Sequence, residues 1–374
     1  MLLDDFRARF PILARRVYVN SCSQGALSTD VESALVSFTA SWHDEGSPWE
    51  RWIEEVEQLR AAAAALVGAN VDEIAIMPSA SAAISSVATA LSFDGRRRRV
   101  VIGEFEFPTM AHVWLAQQAR GASIAWARAH GDSLPIDEYA DLIDADTLIV
   151  PATHVCFRNG YRVDIRRLVA LCRDRGAYCF LDDYQRTGTG PLDVHDLQVD
   201  FMVTGALKYL LGPSGVAFLY VRRDLIERLE PLVTGWLGRR NPFAFGIDRL
   251  DWSASARRFE TGTPPIPNVY AARAGLELIR QVGLPVTERR IAELVARFDH
   301  GAHDRGFDVV TPADPERRGA LVVLRVSNAA QLVQRLEHRG IIASARGTGL
   351  RVSFHAYNNE QDVDTVLDAV ARSS

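Results

Sequence analysis

The sequence predicts an α/β protein with a large domain, built on a mostly parallel, helix-covered sheet, and a smaller C-terminal α/β domain. Over the first two thirds of the chain, short apolar runs alternate with amphipathic helical segments. This alternation is typical of a doubly wound parallel sheet. After residue 260 two long helical segments come first and a second, shorter alternation follows. We therefore expect a large domain over residues 16–262 and a small domain over residues 263–374, packed with an N-terminal arm of residues 1–15.

The predicted strands of the large domain are runs rich in β-branched and aromatic residues that end in polar or glycine-containing turns. They cover residues 17–20, 73–77, 99–103, 123–127, 147–153, 178–181, 200–205 and 215–223. Helices separate most of them. One carries an apolar stripe from Trp52 to Leu66, and another begins after Asp164 and ends before Gly176. In the small domain, we expect strands over 321–326 and 350–354.

Three of these strands follow one another closely between residues 178 and 222. The first ends in Asp182, and Lys208 comes shortly after the second. In an open α/β sheet, ligands bind at the carboxyl ends of the strands. Asp182 and Lys208 are therefore placed for chemistry rather than for packing.

Composition excludes several classes of function. The 374 residues are 48% hydrophobic and 24% charged, which is enough for a large core. A net charge of −5 and a pI near 6.0 predict no nucleic-acid partner and no anionic membrane partner, and no apolar run approaches the roughly 18 residues of a membrane span. The four scattered cysteines form no CxxC pair, which argues against a disulfide framework or a metal site. With no signal peptide at the N-terminus, we expect a cytoplasmic protein.

Four elements at strand ends together favour pyridoxal phosphate chemistry. A desolvated Lys208 has a depressed pKa, which frees its amine to form a Schiff base. A carboxylate such as Asp182 keeps a pyridinium nitrogen protonated. Phe107 can stack on a ring, and the turn 79–81 opens a helix whose N-terminus can bind phosphate. Each element alone is more often structural, so the interpretation depends on their combination.

Five blocks of the sequence resemble the class V aminotransferase family of fold-type I pyridoxal phosphate enzymes. This family also holds cysteine desulfurases, kynureninases and isopenicillin epimerases. In chain order the blocks are YVNSCSQGALS, LDDYQRTGTGPLDV, DFMVTGALKYLLGPSGVAFLYV, RFETGTPPIPN and LRVSFHAYNNEQDVD. Together they span nearly the whole chain.

For the cofactor, the resemblance implies one role for each matching residue. Lys208 is similar to the lysine of the internal aldimine, and Asp182 to the partner of the pyridine nitrogen. Gln185 matches the residue that hydrogen-bonds the ring hydroxyl, and Phe107 the aromatic residue that stacks on the ring. The phosphate turn corresponds to Ala80 and Ser81.

For the substrate and the assembly, the resemblance implies three further roles, and the residues themselves add Arg346 as a second candidate for a carboxylate. Arg351 matches the arginine that grips the substrate α-carboxylate, a task that suits its bidentate fork. Asn20 lies in the substrate-side loop, and Arg346 is a second candidate, for a substrate side chain. Thr263 matches a threonine that reaches the cofactor phosphate of the other subunit, which implies a homodimer.

The sequence departs from the family pattern beside the lysine. The family often has Ser or Thr three residues before the lysine and His or Tyr immediately before it, where this chain has Gly205 and Leu207. Phosphate contacts are therefore missing, and Thr204 or the backbone are the candidates to replace them. Asp183 is an unusual second acid beside Asp182, and the register of the block favours Asp182 as the ring partner. His154 is open between a structural role and a place near the substrate.

The implied reaction acts on an α-amino acid, with Lys208 as the base for the Cα proton. Transamination and side-chain lyase chemistry, either kynureninase-like or desulfurase-like, both remain open, and we expect an aminotransferase. Residues 330–350 contain no cysteine, which disfavours a persulfide-forming desulfurase. A nucleotide-binding oxidoreductase is disfavoured by the absence of a strand–GxGxxG–helix segment. A catalytically silent binding protein of the same fold is the remote alternative.

Overall fold

The computed structural model describes residues 1–373. Over these residues the strands, in chain order, are β1 Val17–Tyr18, β2 Ile74–Met77, β3 Arg99–Gly103, β4 Ser123–Ala127, β5 Thr147–Thr153, β6 Tyr178–Asp182, β7 Phe201–Gly205, β8 Ala217–Val221, β9 Asp308–Val309, β10 Leu321–Arg325, β11 Ile341–Ile342, β12 Ser344–Arg346 and β13 Gly349–Ser353. The α-helices are α1 Leu3–Ala8, α2 Thr29–Glu45, α3 Trp49–Val67, α4 Ala80–Ala90, α5 Pro108–Ala116, α6 Ile136–Ala140, α7 Ile165–Arg175, α8 Val194–Leu197, α9 Arg223–Ile226, α10 Ile266–Val282, α11 Leu284–Asp304, α12 Ala329–His338 and α13 Glu360–Ala371.

The large sheet has seven strands in the order β2-β8-β7-β6-β5-β3-β4. All neighbours are parallel except β8, which runs antiparallel to both β2 and β7. The predicted strands of this sheet agree with the observed ones to within two residues. The predicted fold class, with a mostly parallel central sheet, is confirmed.

Helices cover both faces of this sheet, which explains the continuous apolar runs of its central strands. Every residue of β7 and β8 is buried. On one face Phe180 and Phe201 stack at 5.8 Å and pack with residues of α4 and α5. On the other face Leu181 and Met202 pack with residues of α3, α7 and α10.

The C-terminal region has its own antiparallel sheet, in the order β12-β13-β10-β9, packed against α11, α12 and α13. The N-terminal arm lies against this region. Phe10 contacts Tyr357 with ring centroids 4.7 Å apart, and Arg7 pairs with Asp362 at 2.8 Å. The opening strand is shorter than predicted and pairs in parallel with β11. The division into domains 16–262 and 263–374, with the arm grouped with the second, stays a prediction.

No helix within residues 1–373 is long and apolar enough to cross a membrane.

Candidate active site

The carboxyl ends of β5, β6 and β7 bring the central candidate residues to one edge of the sheet. Thr153 at the end of β5 is in register with Asp182 at the end of β6, and Asp182 is in register with Val203 of β7. The chain leaves β7 at Gly205 and reaches Lys208 three residues later. Asp182 and Lys208 therefore lie on neighbouring strand ends, as the sequence predicted.

A tight loop holds the lysine in place. The Gly212 N–H donates to the Ala206 carbonyl at 2.9 Å, and the Gly25 N–H donates to the Leu207 carbonyl at 2.8 Å. A side chain at position 25 would collide with the carbonyl oxygen of Lys208, so this close approach requires glycine.

Lys208 is half-buried, and its Nζ lies 4.4 Å from the centroid of the Tyr184 ring. Burial lowers the pKa of Lys208 to about 8, although the charge of Asp182 acts in the opposite direction. The amine is therefore partly neutral near physiological pH. Lys208 is also the only lysine among the 42 Lys and Arg residues of the chain, a signal that could have singled it out from the sequence.

The two neighbouring acids have different surroundings. Asp182 is buried and accepts the Tyr184 N–H at 3.0 Å; burial raises its pKa to about 6, against the charge of Lys208. Asp183 is fully buried and bonds His154 Nδ1 at 2.6 Å and the Thr187 hydroxyl at 2.5 Å. Asp183 therefore stabilises the turn after β6, and Asp182 is the acid coupled to Lys208.

Gln185 is buried beside these acids. Its Nε2 donates to the Cys22 carbonyl at 3.1 Å, while its Oε1 has no hydrogen-bond partner within residues 1–373. The side chain is thus oriented by the loop after β1, with one acceptor left free.

The elements that follow β2 and β3 carry Ala80, Ser81 and Phe107. The Ser79 side chain caps α4 by accepting the Ala82 N–H at 3.1 Å. The Ser81 hydroxyl lies 3.2 Å from the Thr109 hydroxyl, which joins the starts of α4 and α5. Phe107 precedes α5, is 45% exposed, and meets Phe157 edge-on at 5.0 Å. Both helix starts therefore carry accessible side chains.

Arg351 on β13 is 1% exposed, although nothing in its sequence position requires burial. It donates to neutral acceptors: the Phe157 carbonyl at 2.7 Å, the Ser23 hydroxyl at 2.9 Å and the Ser344 hydroxyl at 3.1 Å. No carboxylate pairs with it within residues 1–373. Its charge nevertheless lowers the pKa of Lys208, so the two cations share one site.

Asn20 and Arg346 lie beside Arg351. Asn20 forms an isolated parallel β-bridge with Ser353, and its buried Oδ1 has no hydrogen-bond partner within the described residues. Arg346 on β12 is exposed, and burial together with the charge of Arg351 lowers its pKa.

Thr263 lies apart from this cluster. It is exposed and lines a separate cavity of about 130 Å³ with residues of α3 and the end of β2. The loop that carries Thr263 is anchored by Glu260, which lies in the same RFETGTPPIPN block. Glu260 pairs with Arg60 at 2.5 Å and accepts the Ile76 N–H at 2.8 Å. No contact joins Thr263 to Lys208 in this chain, within residues 1–373.

Sequence reasoning missed two residues of the site. Glu106, just before Phe107, is buried; its Oε1 accepts the Thr153 N–H at 2.7 Å and its Oε2 has no partner among residues 1–373. Burial, reinforced by the charge of Asp182, raises its pKa to about 8. Tyr184, two residues after Asp182, places its ring beneath the lysine amine. Tyr184 lies inside the LDDYQRTGTGPLDV block, but only its packing in the fold shows that its ring contacts the lysine.

Comparison with known proteins finds relatives along nearly the whole chain. The family model described as aminotransferase class-V matches residues 34–366. An uncharacterized aminotransferase of Bacillus subtilis, YcbU, is 33% identical over 99% of this chain and 98% of its own length. A kynureninase of Bacillus thuringiensis is 28% identical over 96% of this chain and 89% of its own.

The fold is also that of solved structures. The structure of C-DES with glycine covalently linked to its pyridoxal phosphate has a TM-score of 0.89 and 21% identity, over 98% of each chain. With a family model over most of its length and a full-length relative at one third identity, this chain belongs to the class V aminotransferase family and is a pyridoxal-phosphate-dependent enzyme.

Proposed function

We propose that the protein is an aminotransferase that acts on an α-amino acid, with Lys208 carrying the cofactor and moving the Cα proton. The observation that supports this most strongly is the setting of Lys208: a single lysine, with a pKa lowered to about 8 by burial, beside Asp182 and the uncompensated Arg351. A lysine in this state is both a competent nucleophile and a competent base.

The residues around Lys208 fit pyridoxal phosphate. Several buried polar atoms here have no hydrogen-bond partner within residues 1–373, among them Gln185 Oε1 and Asn20 Oδ1. Native proteins rarely leave such atoms unpaired, so a polar ligand is expected among them. In this proposal Asp182 holds the pyridine nitrogen, Gln185 the ring hydroxyl, Phe107 one ring face, and Ala80 and Ser81 the phosphate. When bound, the cofactor supplies an electron sink for the charge that develops at the substrate Cα.

Arg351 is proposed to bind the substrate α-carboxylate. A buried guanidinium with only neutral acceptors is costly unless an anion joins it. Its planar fork would donate hydrogen bonds to both carboxylate oxygens and orient the Cα–H bond toward Lys208 Nζ. Asn20 would contact the substrate next to Arg351. Arg346 is exposed on β12 and would select for a substrate with an acidic side chain.

A side-chain lyase is the second candidate, and the 28% identity to a kynureninase favours it. The four cysteines are all buried, which continues to disfavour an enzyme-bound persulfide. A panel of amino acids scored for keto acid, ammonia, sulfide and alanine would separate the two reactions. Keto acid formed in proportion to an amino-group acceptor supports the aminotransferase; ammonia, sulfide or alanine formed without an acceptor supports the lyase.

We further propose a cytoplasmic homodimer in which Thr263 reaches the partner's cofactor. Thr263 is exposed, and the preceding segment carries exposed apolar side chains, including Phe245 at 72% and Ile247 at 97%. Such a patch is typical of a protein interface. A monomer in size-exclusion chromatography at micromolar concentration would contradict this role of Thr263.

The central experiment uses the single lysine. Borohydride reduction of the coloured holoenzyme should fix the cofactor on the peptide that contains Lys208, with no other ε-amine to compete. Lys208→Ala should abolish the reducible visible band and lower kcat by at least about 10² to 10⁴-fold. Lys208→Arg is the control that keeps the charge without a nucleophilic amine. A visible band unaffected by either substitution would contradict the proposal.

A further inference from the structure

Tyr184 occupies the space that Gly205 leaves open. A Cβ built on Gly205 would collide with the hydroxyl oxygen of Tyr184 and with the ring carbons beside it. Gly205 does not have a positive φ, so the backbone alone does not require glycine there. Glycine is needed at position 205 because the tyrosine side chain from the neighbouring strand end fills its side-chain site.

This packing bears on the missing phosphate contact. The family often carries Ser or Thr at the position of Gly205, and the Cβ of such a residue would overlap the position of the Tyr184 hydroxyl oxygen. Thr204 is not positioned to replace it, because successive side chains of a strand point to opposite faces of the sheet. The Tyr184 hydroxyl has no hydrogen-bond partner of its own within the described part of the chain.

We infer that the Tyr184 hydroxyl donates a hydrogen bond to the cofactor phosphate in place of the side chain that Gly205 lacks. The inference rests on the proposed role of Lys208 as the attachment point. The Lys208 Nζ lies 4.4 Å from the Tyr184 ring centroid, so the tyrosine side chain lies next to the point at which the cofactor would be attached. The Tyr184 N–H bond to Asp182 at 3.0 Å fixes its backbone.

The chemistry of the group suits a donor. Burial, with the charge of Asp182 adding to it, raises the pKa of Tyr184 well above its ordinary value. The hydroxyl therefore keeps its proton across the pH range in which the phosphate is a dianion. A phenol that stays protonated donates to a phosphate oxygen without adding negative charge.

The test compares two ligands of the cofactor-free protein: pyridoxal phosphate and pyridoxal, which lacks the phosphate. Equilibrium titration by absorbance gives both dissociation constants and does not depend on turnover. Tyr184→Phe should weaken binding of pyridoxal phosphate by about 10 to 100-fold, as expected for one hydrogen bond to a charged group, and leave pyridoxal unchanged. Tyr178→Phe, at the start of β6, the strand that leads to Tyr184, should leave both constants as in the wild type.

A swap variant sharpens the test. Tyr184→Ala combined with Gly205→Ser removes the clash and returns a hydroxyl to position 205, so it should recover preference for the phosphorylated ligand over Tyr184→Ala alone. Equal effects of Tyr184→Phe on both ligands, or no effect on either, would overturn the inference. Failure of the Lys208 assignment has a separate readout: the reducible visible band would persist in Lys208→Ala. Tyr184→Phe keeps that band at saturating cofactor whether or not its hydroxyl contacts the phosphate.

Discussion

Arg60 and Arg351 are buried to the same degree, at 2% and 1% exposure, but their partners differ. Arg60 on α3 pairs with Glu260 at 2.5 Å and with Glu57 at 2.9 Å. Burial alone would lower the pKa of Arg60, and the two carboxylates overcome this and raise it. Arg351 has only hydroxyl and carbonyl oxygens around it.

The difference separates structure from function. A buried charge that is paired inside the chain holds two elements together, here α3 and the loop that leads to Thr263. A buried charge left without a counter-ion costs stability unless a ligand supplies one. Lys208, Asp182 and Glu106 resemble Arg351 in that none of them forms a close ion pair within residues 1–373, and burial shifts the pKa of each of the three toward its neutral form.

The largest expected effect comes from breaking the paired site. Glu260→Gln removes the buried carboxylate and leaves Arg60 with the half-exposed Glu57 alone. We expect a loss of about 3 kcal/mol in the free energy of unfolding, measured by urea denaturation. Glu57→Gln is the matched control on the same arginine and should cost less than about 1 kcal/mol, because its carboxylate faces solvent. Equal losses in the two variants would mean that burial of the carboxylate does not decide how much each ion pair contributes to the free energy of unfolding.

The sequence predicted most of the framework on which this comparison rests. Strand ends at Asp182 and before Lys208 follow from local apolar runs, and the strand bounds of the large sheet agree within two residues. The pairing state of a buried charge was not predictable, because it depends on distant residues. Glu260 and Arg60 are in contact although they are 200 residues apart in the sequence. Tyr184 follows β6, and it contacts Gly205 at the end of the neighbouring strand β7. The roles assigned to the site residues remain predictions.

A smaller effect is expected at the unpaired arginine. Arg351→Leu should raise KM by about 10²-fold for every amino acid, because the fork of hydrogen bonds to the α-carboxylate is lost. Its free energy of unfolding should change less than that of Glu260→Gln, since no charged partner is left behind.

Arg346→Leu is the comparison for that prediction. It should raise KM only for substrates with an acidic side chain, and leave KM for neutral amino acids unchanged. If Arg346→Leu instead raised KM for all amino acids while Arg351→Leu did not, the carboxylate-binding residue would be Arg346.

The smallest effect concerns Glu106, the acid that has no ion-pair partner. With a pKa raised to about 8 in the folded protein, Glu106 binds a proton that the unfolded chain has already lost above its ordinary pKa. The contribution of this proton to the free energy of unfolding therefore falls as pH rises from 6 to 8. Glu106→Gln should remove this dependence. Relative to the cofactor-free wild type, its free energy of unfolding should therefore rise by about 2 kcal/mol from pH 6 to pH 8.

Glu104 supplies the matched control two residues earlier. It accepts the Ala129 N–H at 2.7 Å and pairs with Arg128 at 2.5 Å, and these contacts lower its pKa. A carboxylate with a lowered pKa is ionised in both states above pH 6, so Glu104→Gln should shift stability by the same amount at pH 6 and pH 8. If Glu106→Gln gave an equally flat difference, the acid would be ionised in the folded protein. It would then need a cation that its surroundings do not supply.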